Sequence, residues 1–309
     1  MQARACRRRG TGHTATCALV ISLLALGCVG RGEAERADTA RRWGLAGMSV
    51  PVLVQGNGPV VVLVNGGSMD LRQWDDVAAR LDDRRTVVRF DLPGWGAAPE
   101  PRTPYDPLEV MAALLSRVGV ERADFVGFSY GASLVLDLAL ERPELVRSCA
   151  LLSPSVRGYP WSADAAARDS ELRDVFAAGG AEALIDAMLD DPTFAPTAAD
   201  DADLRARIAG LMSDSAELLK LDQSLVQHPA TPTWLRLEQL DLPVLLVLFE
   251  HAREELLALG QGLTERVPGL RVVGVKGVGH LGVLEDPEAL AGVLGPFLDD
   301  PEPASPSPP

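Results

Sequence analysis

The sequence GFSYG, at residues 127–131, joins an apolar run to a helical pattern. The run at residues 123–126 is typical of a buried strand, and residues 132–140 follow with the spacing of an apolar helix. A sharp strand-to-helix turn needs small residues beside its central residue, and the two glycines provide them. The alternative, an ordinary glycine-rich turn, is disfavoured by these flanks. The pattern therefore predicts that Ser129 projects above a sheet.

Apolar runs alternate with helical patterns along the chain after residue 70. This alternation predicts an α/β fold with a mostly parallel, doubly wound sheet covered by helices on both faces. The short gap between the first two runs predicts an antiparallel hairpin at the sheet edge. The runs are residues 50–54, 60–64, 86–90, 123–127, 146–152, 243–248 and 270–275.

Three further segments surround this motif in a set order. They read VNGGS at residues 64–68, DLPGWG at 91–96 and GVGHLGVLEDPE at 277–288. With GFSYG they make the chain similar to the α/β-hydrolase family over about residues 48 to 298. The resemblance implies that Ser129 is the nucleophile and that no cofactor is required.

A serine hydroxyl needs a general base to become a good nucleophile. The chain has four histidines, of which His13 lies in a segment that we expect to be removed. His228 lies in a polar stretch typical of the surface, and His251 is adjacent to the family's acid position instead of its histidine position. His280 follows the apolar run at 270–275 in a glycine-flanked loop, as the family's histidine does. His280 is therefore the predicted base.

Oxyanion stabilisation requires backbone N–H groups aimed at the developing charge. The resemblance implies the amides of Tyr130 and Gly67. Gly67 follows the apolar run at 60–64, and open α/β sheets place their sites at the carboxyl ends of strands. Asn65 stands where the family usually has histidine. Because asparagine also forms hydrogen bonds, we expect a modest change in the loop's geometry.

The acid of the family's catalytic triad is displaced or absent. The resemblance places an aspartate where this chain has Ala252. Glu250 is the predicted substitute, because its longer side chain starts two positions upstream. Glu254 is a second candidate, although glutamates in a first helical turn commonly only favour the helix dipole. Residues 151–155, where some family members carry the acid, contain no carboxylate.

The chain divides into a hydrolase core and a helical insertion. Residues 45–156 and 236–298 are predicted to form the core. Residues 157–235 show only helical patterns, and the resemblance implies a cap over the site. Candidates for lining its pocket are Tyr159, Trp161 and Phe194.

The ends of the chain differ from the core in composition. Residues 1–28 combine arginines with a short apolar stretch, which predicts an export signal. Its end resembles a bacterial lipobox, so Cys28 is expected to carry lipid and attach a cell-envelope lipoprotein to the membrane. Simple secretion, or a cytosolic protein with a misassigned start, remain alternatives. Residues 29–44 are predicted to form a tether, and residues 299–309 a disordered Pro/Ser tail.

Charge and cysteine content restrict the partners. The net charge of −14 disfavours nucleic acid and anionic membrane surfaces as partners. After removal of Cys6 and Cys17 and lipidation of Cys28, only Cys149 would remain, so no disulfide is expected. The cysteines and histidines lack the spacing of metal ligands, and no metal site is predicted.

The combined features predict a serine hydrolase of small carboxylic esters or lactones that works through an acyl-enzyme. Small esterases and enol-lactonase-like members of the family are most similar, whereas carbon–carbon bond hydrolases and cofactor-free perhydrolases remain open. Because Ala252 replaces the usual acid, the alternative is a ligand-binding protein that kept the fold and lost efficient turnover.

Overall fold

The structure is a computed structural model and describes residues 40–215 and 223–301. The predicted export signal with Cys28, most of the predicted tether and most of the tail lie outside these residues. Among the described helices, none has both the length and the apolar character needed to span a membrane.

The core is an eight-stranded sheet with the order β1-β2-β4-β3-β5-β6-β7-β8. Pairing is antiparallel between β1 and β2 and between β2 and β4, and parallel elsewhere. The mostly parallel sheet confirms the predicted fold class. The strands are β1 (Arg41–Leu45), β2 (Met48–Gly56), β3 (Val60–Val64), β4 (Thr86–Phe90), β5 (Ala123–Phe128), β6 (Val146–Leu152), β7 (Val244–Phe249) and β8 (Arg271–Val275).

Helices cover both faces of the sheet. Alternate residues of β3 show this, because Val62 and Val64 belong to one buried cluster while Val61 and Leu63 belong to the other. The helices are α1 (Asp75–Leu81), α2 (Pro107–Val118), α3 (Tyr130–Glu141), α4 (Ala163–Leu189), α5 (Ala202–Asp214), α6 (Glu254–Arg266), α7 (Gly282–Glu285) and α8 (Pro287–Asp299).

The edge of the sheet differs from the sequence-based expectation. The hairpin joins β1 to β2, with positive φ angles of 47° at Ala46 and 79° at Gly47, as a tight type I′ turn requires. Strand β2 then pairs with β4 and not with β3. The predicted tether boundary at residue 44 was therefore wrong, because β1 begins at Arg41. Its sequence RRWGL is largely exposed and lacks a strand's apolar alternation.

The residues between β6 and β7 contribute α4 and α5, and one buried carboxylate holds both ends of this insertion. Asp137, on α3, accepts hydrogen bonds from Arg157 at 3.0 and 3.1 Å and another from the hydroxyl of Thr233. Arg157 lies at the start of the insertion and Thr233 near its end. The insertion is thus fixed at its base to the helix that follows Ser129.

The first turn of α3 packs directly on the end of β3. A methyl group added at Gly131 would lie 2.5 Å from the carbonyl oxygen of Asn65 and closer still to that of Val64. Similarly, one added at Gly127 would lie 2.6 Å from the backbone of Ala132. Both glycines of the motif are required because no side chain fits between these backbones.

Replacing Gly131 with alanine is expected to destabilise the fold. The clash is with backbone and cannot be relieved by a rotamer change, so the free energy of unfolding should fall by about 2 kcal/mol or more. Gly292→Ala is the control, because nothing lies near its added methyl group in α8. Urea denaturation should show unchanged or slightly increased stability for that control. Equal effects of the two substitutions would show that the backbone contact at Gly131 does not limit stability.

Candidate active site

Ser129 occupies the turn between β5 and α3, as the sequence predicts. Its backbone has φ of 50° and ψ of −113°, outside the common regions for a residue with a side chain. Its amide donates to the carbonyl of Leu152 at 2.9 Å, which fixes the turn to the end of β6. The side chain is only partly buried. The fold thus presents a strained, accessible serine at the carboxyl edge of the sheet.

His280 lies beside this turn. Its ring packs against Phe128, which precedes Ser129, at a centroid distance of 5.1 Å, and against Phe194 at 5.6 Å. Its backbone amide donates to the carbonyl of Thr193 at 3.0 Å. No hydrogen bond joins the Ser129 hydroxyl to the imidazole within the described ranges. Catalytic contacts of this kind often tighten only when substrate binds.

The Nδ1 atom of His280 meets a hydroxyl. It lies 2.9 Å from Oγ of Ser153, a residue 2% exposed that directly follows β6. The backbone of Ser153 has a positive φ of 40°, and its amide donates to the carbonyl of Val247 at 3.0 Å. Sequence reasoning considered this stretch only for a carboxylate and missed the serine. Its position after β6, where some family members carry the acid, is the feature of the sequence that could have indicated Ser153.

The structure does not bring Glu250 to the imidazole. One of its carboxylate oxygens accepts from the amide of Gly277 at 2.7 Å, and its side chain is exposed. Glu250 follows β7 directly, and in that position it closes the turn after β8. Glu254 is exposed in the first turn of α6, and Ala252 presents only a buried methyl group. The Nδ1 atom therefore faces no carboxylate from any of the three positions considered.

The two predicted oxyanion donors are neighbours. Tyr130 opens α3, so its amide belongs to the first turn, whose N–H groups have no partner inside the helix. A methyl group added at Gly67 would lie 4.0 Å from Cβ of Tyr130. The ring of Tyr130 stacks on Trp95, with centroids 5.6 Å apart. The loop after β3 thus lies against the first residue of α3.

The side chain of Asn65 anchors the start of this loop through hydrogen bonds. Its side-chain amide donates to the carbonyl of Phe90 at 3.0 Å and to Asp91 at 3.3 Å, and its oxygen accepts from the indole of Trp74 at 3.0 Å. Asparagine therefore forms hydrogen bonds at this position, and its effect on the geometry of the loop stays a prediction. Because Asn65 is buried, these bonds fix the start of the loop to the end of β4.

Part of the insertion is attached to the loop that carries His280. Glu285 accepts from the amide of Thr197 at 3.0 Å with one oxygen and from the amide of Gly279 at 2.8 Å with the other. Arg253 forms an ion pair with Asp191 at 2.5 Å. Sequence reasoning missed both links, since each depends on where the insertion folds back. They hold Phe194 against the imidazole.

The aromatic candidates separate into two groups. Phe194 contacts His280. Tyr159 packs edge-on against Trp161 and Trp234, with centroid distances of 4.8 Å in both pairs. Only Phe194 of the three predicted lining residues has a ring contact with a predicted site residue in the described part of the chain.

Comparison with known proteins agrees with this fold. The model for the "Alpha/beta hydrolase family" matches residues 61–293, which is most of the chain. The chain belongs to the alpha/beta hydrolase family. The match and the relatives below support a hydrolase.

Three similar proteins illustrate the range within the family. A putative 2-succinyl-6-hydroxy-2,4-cyclohexadiene-1-carboxylate synthase of Bacillus subtilis is 24% identical over 77% of this chain and 89% of its own length. A pimeloyl-[acyl-carrier protein] methyl ester esterase of Nitrosomonas europaea is 24% identical over 78% of this chain and 96% of its own. The enol-lactonase structure from Burkholderia xenovorans superposes with a TM-score of 0.68 at 22% identity, covering 84% of this chain and 100% of that one.

In this hydrolase-family site the imidazole is kept neutral. Burial, and to a lesser extent the positive charge of Arg253, lower the pKa of His280 from its ordinary 6.5 to about 4. A neutral imidazole retains a lone pair that can accept a proton. The pKa of His280 is lower in the folded protein than in the unfolded protein. The contribution of His280 to the free energy of unfolding is therefore highest above pH 6.5 and decreases as the pH falls towards 4.

Asp91 shows the opposite shift behind the loop. Burial raises its pKa from 3.8 to about 7, although hydrogen bonds from the amides of Leu71, at 2.7 Å, and Ala97, at 3.3 Å, partly offset that rise. Asp91 also accepts a hydrogen bond from Asn65 and thereby supports the loop after β3.

Opening the ring of His280 to water should raise its pKa. Phe194→Ala removes an aromatic cover, and burial is the largest cause of the low value, so the pKa should move from about 4 towards 6.5. NMR titration of the ring resonances measures this shift. Trp161→Ala, which removes an exposed aromatic ring from the other group, is the control. An unchanged pKa in Phe194→Ala would show that Phe194 does not desolvate the ring.

Proposed function

We propose that this protein hydrolyses small carboxylic esters or lactones through an acyl-enzyme on Ser129. The carrying observation is a strained serine at a strand-to-helix turn, whose preceding residue Phe128 packs against the imidazole of His280. His280 serves as general base and then general acid. The amides of Tyr130 and Gly67 form the oxyanion hole.

The reaction proceeds in two balanced halves. The Ser129 oxygen attacks the carbonyl carbon while its proton passes to Nε2 of His280, and the tetrahedral oxyanion accepts the two backbone N–H groups. Collapse breaks the ester bond, and the alcohol leaves with the proton from the imidazolium. Water then attacks the acyl-enzyme, gives its proton to Nε2, and the acid departs as the serine oxygen regains that proton.

The chemistry of the site favours an uncharged acyl group near the nucleophile. Phe128 and Phe194 line the side on which His280 lies, and both are apolar. The insertion that contributes Phe194 would act as the cap over this side. Two of the similar proteins are named as an ester hydrolase and an enol-lactonase, which supports esters and lactones as the substrate class.

A second candidate function is ligand binding with little turnover. The favouring observation is that a hydroxyl, and not a carboxylate, contacts Nδ1 of His280. Loss of the triad acid lowers the rate of serine proteases by about 10⁴-fold. A protein with that defect would still bind esters at the same site.

Acyl-enzyme formation distinguishes the two functions. With p-nitrophenyl acetate and butyrate, a hydrolase should release nitrophenol, and intact mass spectrometry of quenched samples should detect one acyl group per chain. Ser129→Ala should abolish both signals. The matched control is Ser133→Ala, which removes a buried hydroxyl one turn further along α3 and should retain them. Absence of acylation in the folded parent would favour the binding function.

A carboxylate introduced at the family's usual position should accelerate this reaction. Ala252→Asp is expected to raise kcat by about tenfold or more, since an acid near His280 stabilises the imidazolium. Ala252→Asn has nearly the same shape without the charge and should give no comparable gain. Steady-state kinetics on p-nitrophenyl butyrate measure both variants, and equal rates for parent, Asp and Asn would contradict the prediction.

A further inference from the structure

The partner of Nδ1 of His280 is the hydroxyl of Ser153, which is not among the predicted site residues. We propose that Ser153 is the positioning residue of His280, so that the site works as a Ser129–His280–Ser153 relay without a carboxylate. This inference rests on the proposed function and extends it. The contact that carries it is the 2.9 Å distance between Oγ of Ser153 and Nδ1 of His280.

The sheet places Ser153 for this role. Ser129 follows β5 and Ser153 follows β6, and these neighbouring parallel strands pair Phe128 with Leu152 at their ends. The amide of Ser129 bonds to the carbonyl of Leu152, and the amide of Ser153 bonds to that of Val247 in β7. Since the backbone is fixed on both sides and the serine is 2% exposed, its hydroxyl is held at the ring.

The carboxylates of the segments around His280 are engaged elsewhere. Both oxygens of Glu285 accept backbone amides, from Gly279 and Thr197, and Glu250 accepts the amide of Gly277. Arg253, whose positive charge contributes to the lowered pKa of His280, pairs with Asp191. Ser153 is thus the only side chain that hydrogen-bonds the ring within residues 40–215 and 223–301.

A hydroxyl positions the imidazole without fixing its tautomer. When Nδ1–H donates to Ser153, Nε2 keeps the lone pair that the base needs. When the Ser153 hydroxyl donates to Nδ1 instead, the proton lies on Nε2 and the base is lost. A carboxylate only accepts, and therefore admits the first arrangement alone. Ser153 thus orients the ring but leaves part of the population in the unproductive tautomer.

The hydroxyl also brings no negative charge. The imidazolium that forms during attack is next to neutral Ser153 and within the influence of the Arg253 cation, so it gains little stabilisation. The result is a weak base that stays deprotonated in mildly acidic solution. Turnover should therefore be slow but nearly constant down to about pH 5, since burial keeps the pKa of His280 near 4.

Three substitutions at one position test this inference. Ser153→Ala removes the contact, Ser153→Asn retains an uncharged acceptor, and Ser153→Asp supplies a carboxylate. Asparagine and aspartate also tolerate the positive φ of this residue better than most side chains. Ser148→Ala is the matched control, because it removes a buried hydroxyl of β6 that bonds to Asp124 and not to His280.

Steady-state kinetics should distinguish the three variants of Ser153. Ser153→Ala should lower kcat by about tenfold with little change in KM, and Ser153→Asp should raise kcat by about tenfold or more. Ser153→Asp should also move the acidic limb of the pH–rate profile upward, because a carboxylate raises the pKa of the histidine. Ser153→Asn should lie nearer to the parent than Ser153→Ala does, and Ser148→Ala should match the parent per folded molecule.

NMR of the His280 ring nitrogens provides a readout that does not require turnover. His280→Asn assigns the signals. Ser153→Asp should raise the pKa of His280 and shift Nδ1 towards the protonated form, and Ser153→Ala should change the tautomer ratio. Unchanged ring signals in both variants would overturn the positioning role. Changed signals without acylation of the parent would support that role and refute the hydrolase function separately.

Discussion

The whole site depends on a close backbone contact between the start of α3 and the end of β3. Gly131 lies against the carbonyls of Val64 and Asn65, and Gly127 lies against the first turn of the helix. This contact forces the chain to reverse within one residue and holds Ser129 at a positive φ. A conformation of that kind costs on the order of 1–3 kcal/mol and persists only where surrounding packing imposes it. It also brings Gly67 beside Tyr130, so one constraint places both nucleophile and predicted oxyanion donors.

The electrostatics of the site follow from what surrounds the imidazole. Two aromatic rings, one from the core and one from the insertion, partly cover His280, and the hydroxyl of Ser153 is the partner of its Nδ1 atom. Because the insertion is attached through Glu285 and Arg253, its position controls the burial of the ring. The proposed relay thus lacks the stabilisation of the imidazolium that a carboxylate provides, but its base stays neutral over a wide pH range.

The sequence predicts those parts of the molecule that depend on local patterns. The turn at Ser129 and the loop of His280 follow from apolar runs and glycines, which report on neighbours along the chain. The polar edge strand Arg41–Leu45 carries no such pattern, because it is held by pairing with β2. Glu250 was selected by its distance in sequence, but its orientation depends on the turn after β8. Ser153 is uncharged and belongs to no sequence motif. Its contact with His280 joins segments that are 127 positions apart in the sequence, so it is seen only in the folded structure.

In the proposed site, Ser129 is activated by a histidine without a carboxylate partner. The most direct test is the rate of inactivation of the parent protein by a fluorophosphonate as a function of pH, followed by intact mass. We expect labelling at Ser129 with a half-maximal rate near pH 4 and a plateau above about pH 5, because the pKa of His280 is lowered to about 4. A half-maximal rate between about pH 6 and 7, as for an unperturbed histidine, or no labelling at any pH, would contradict it.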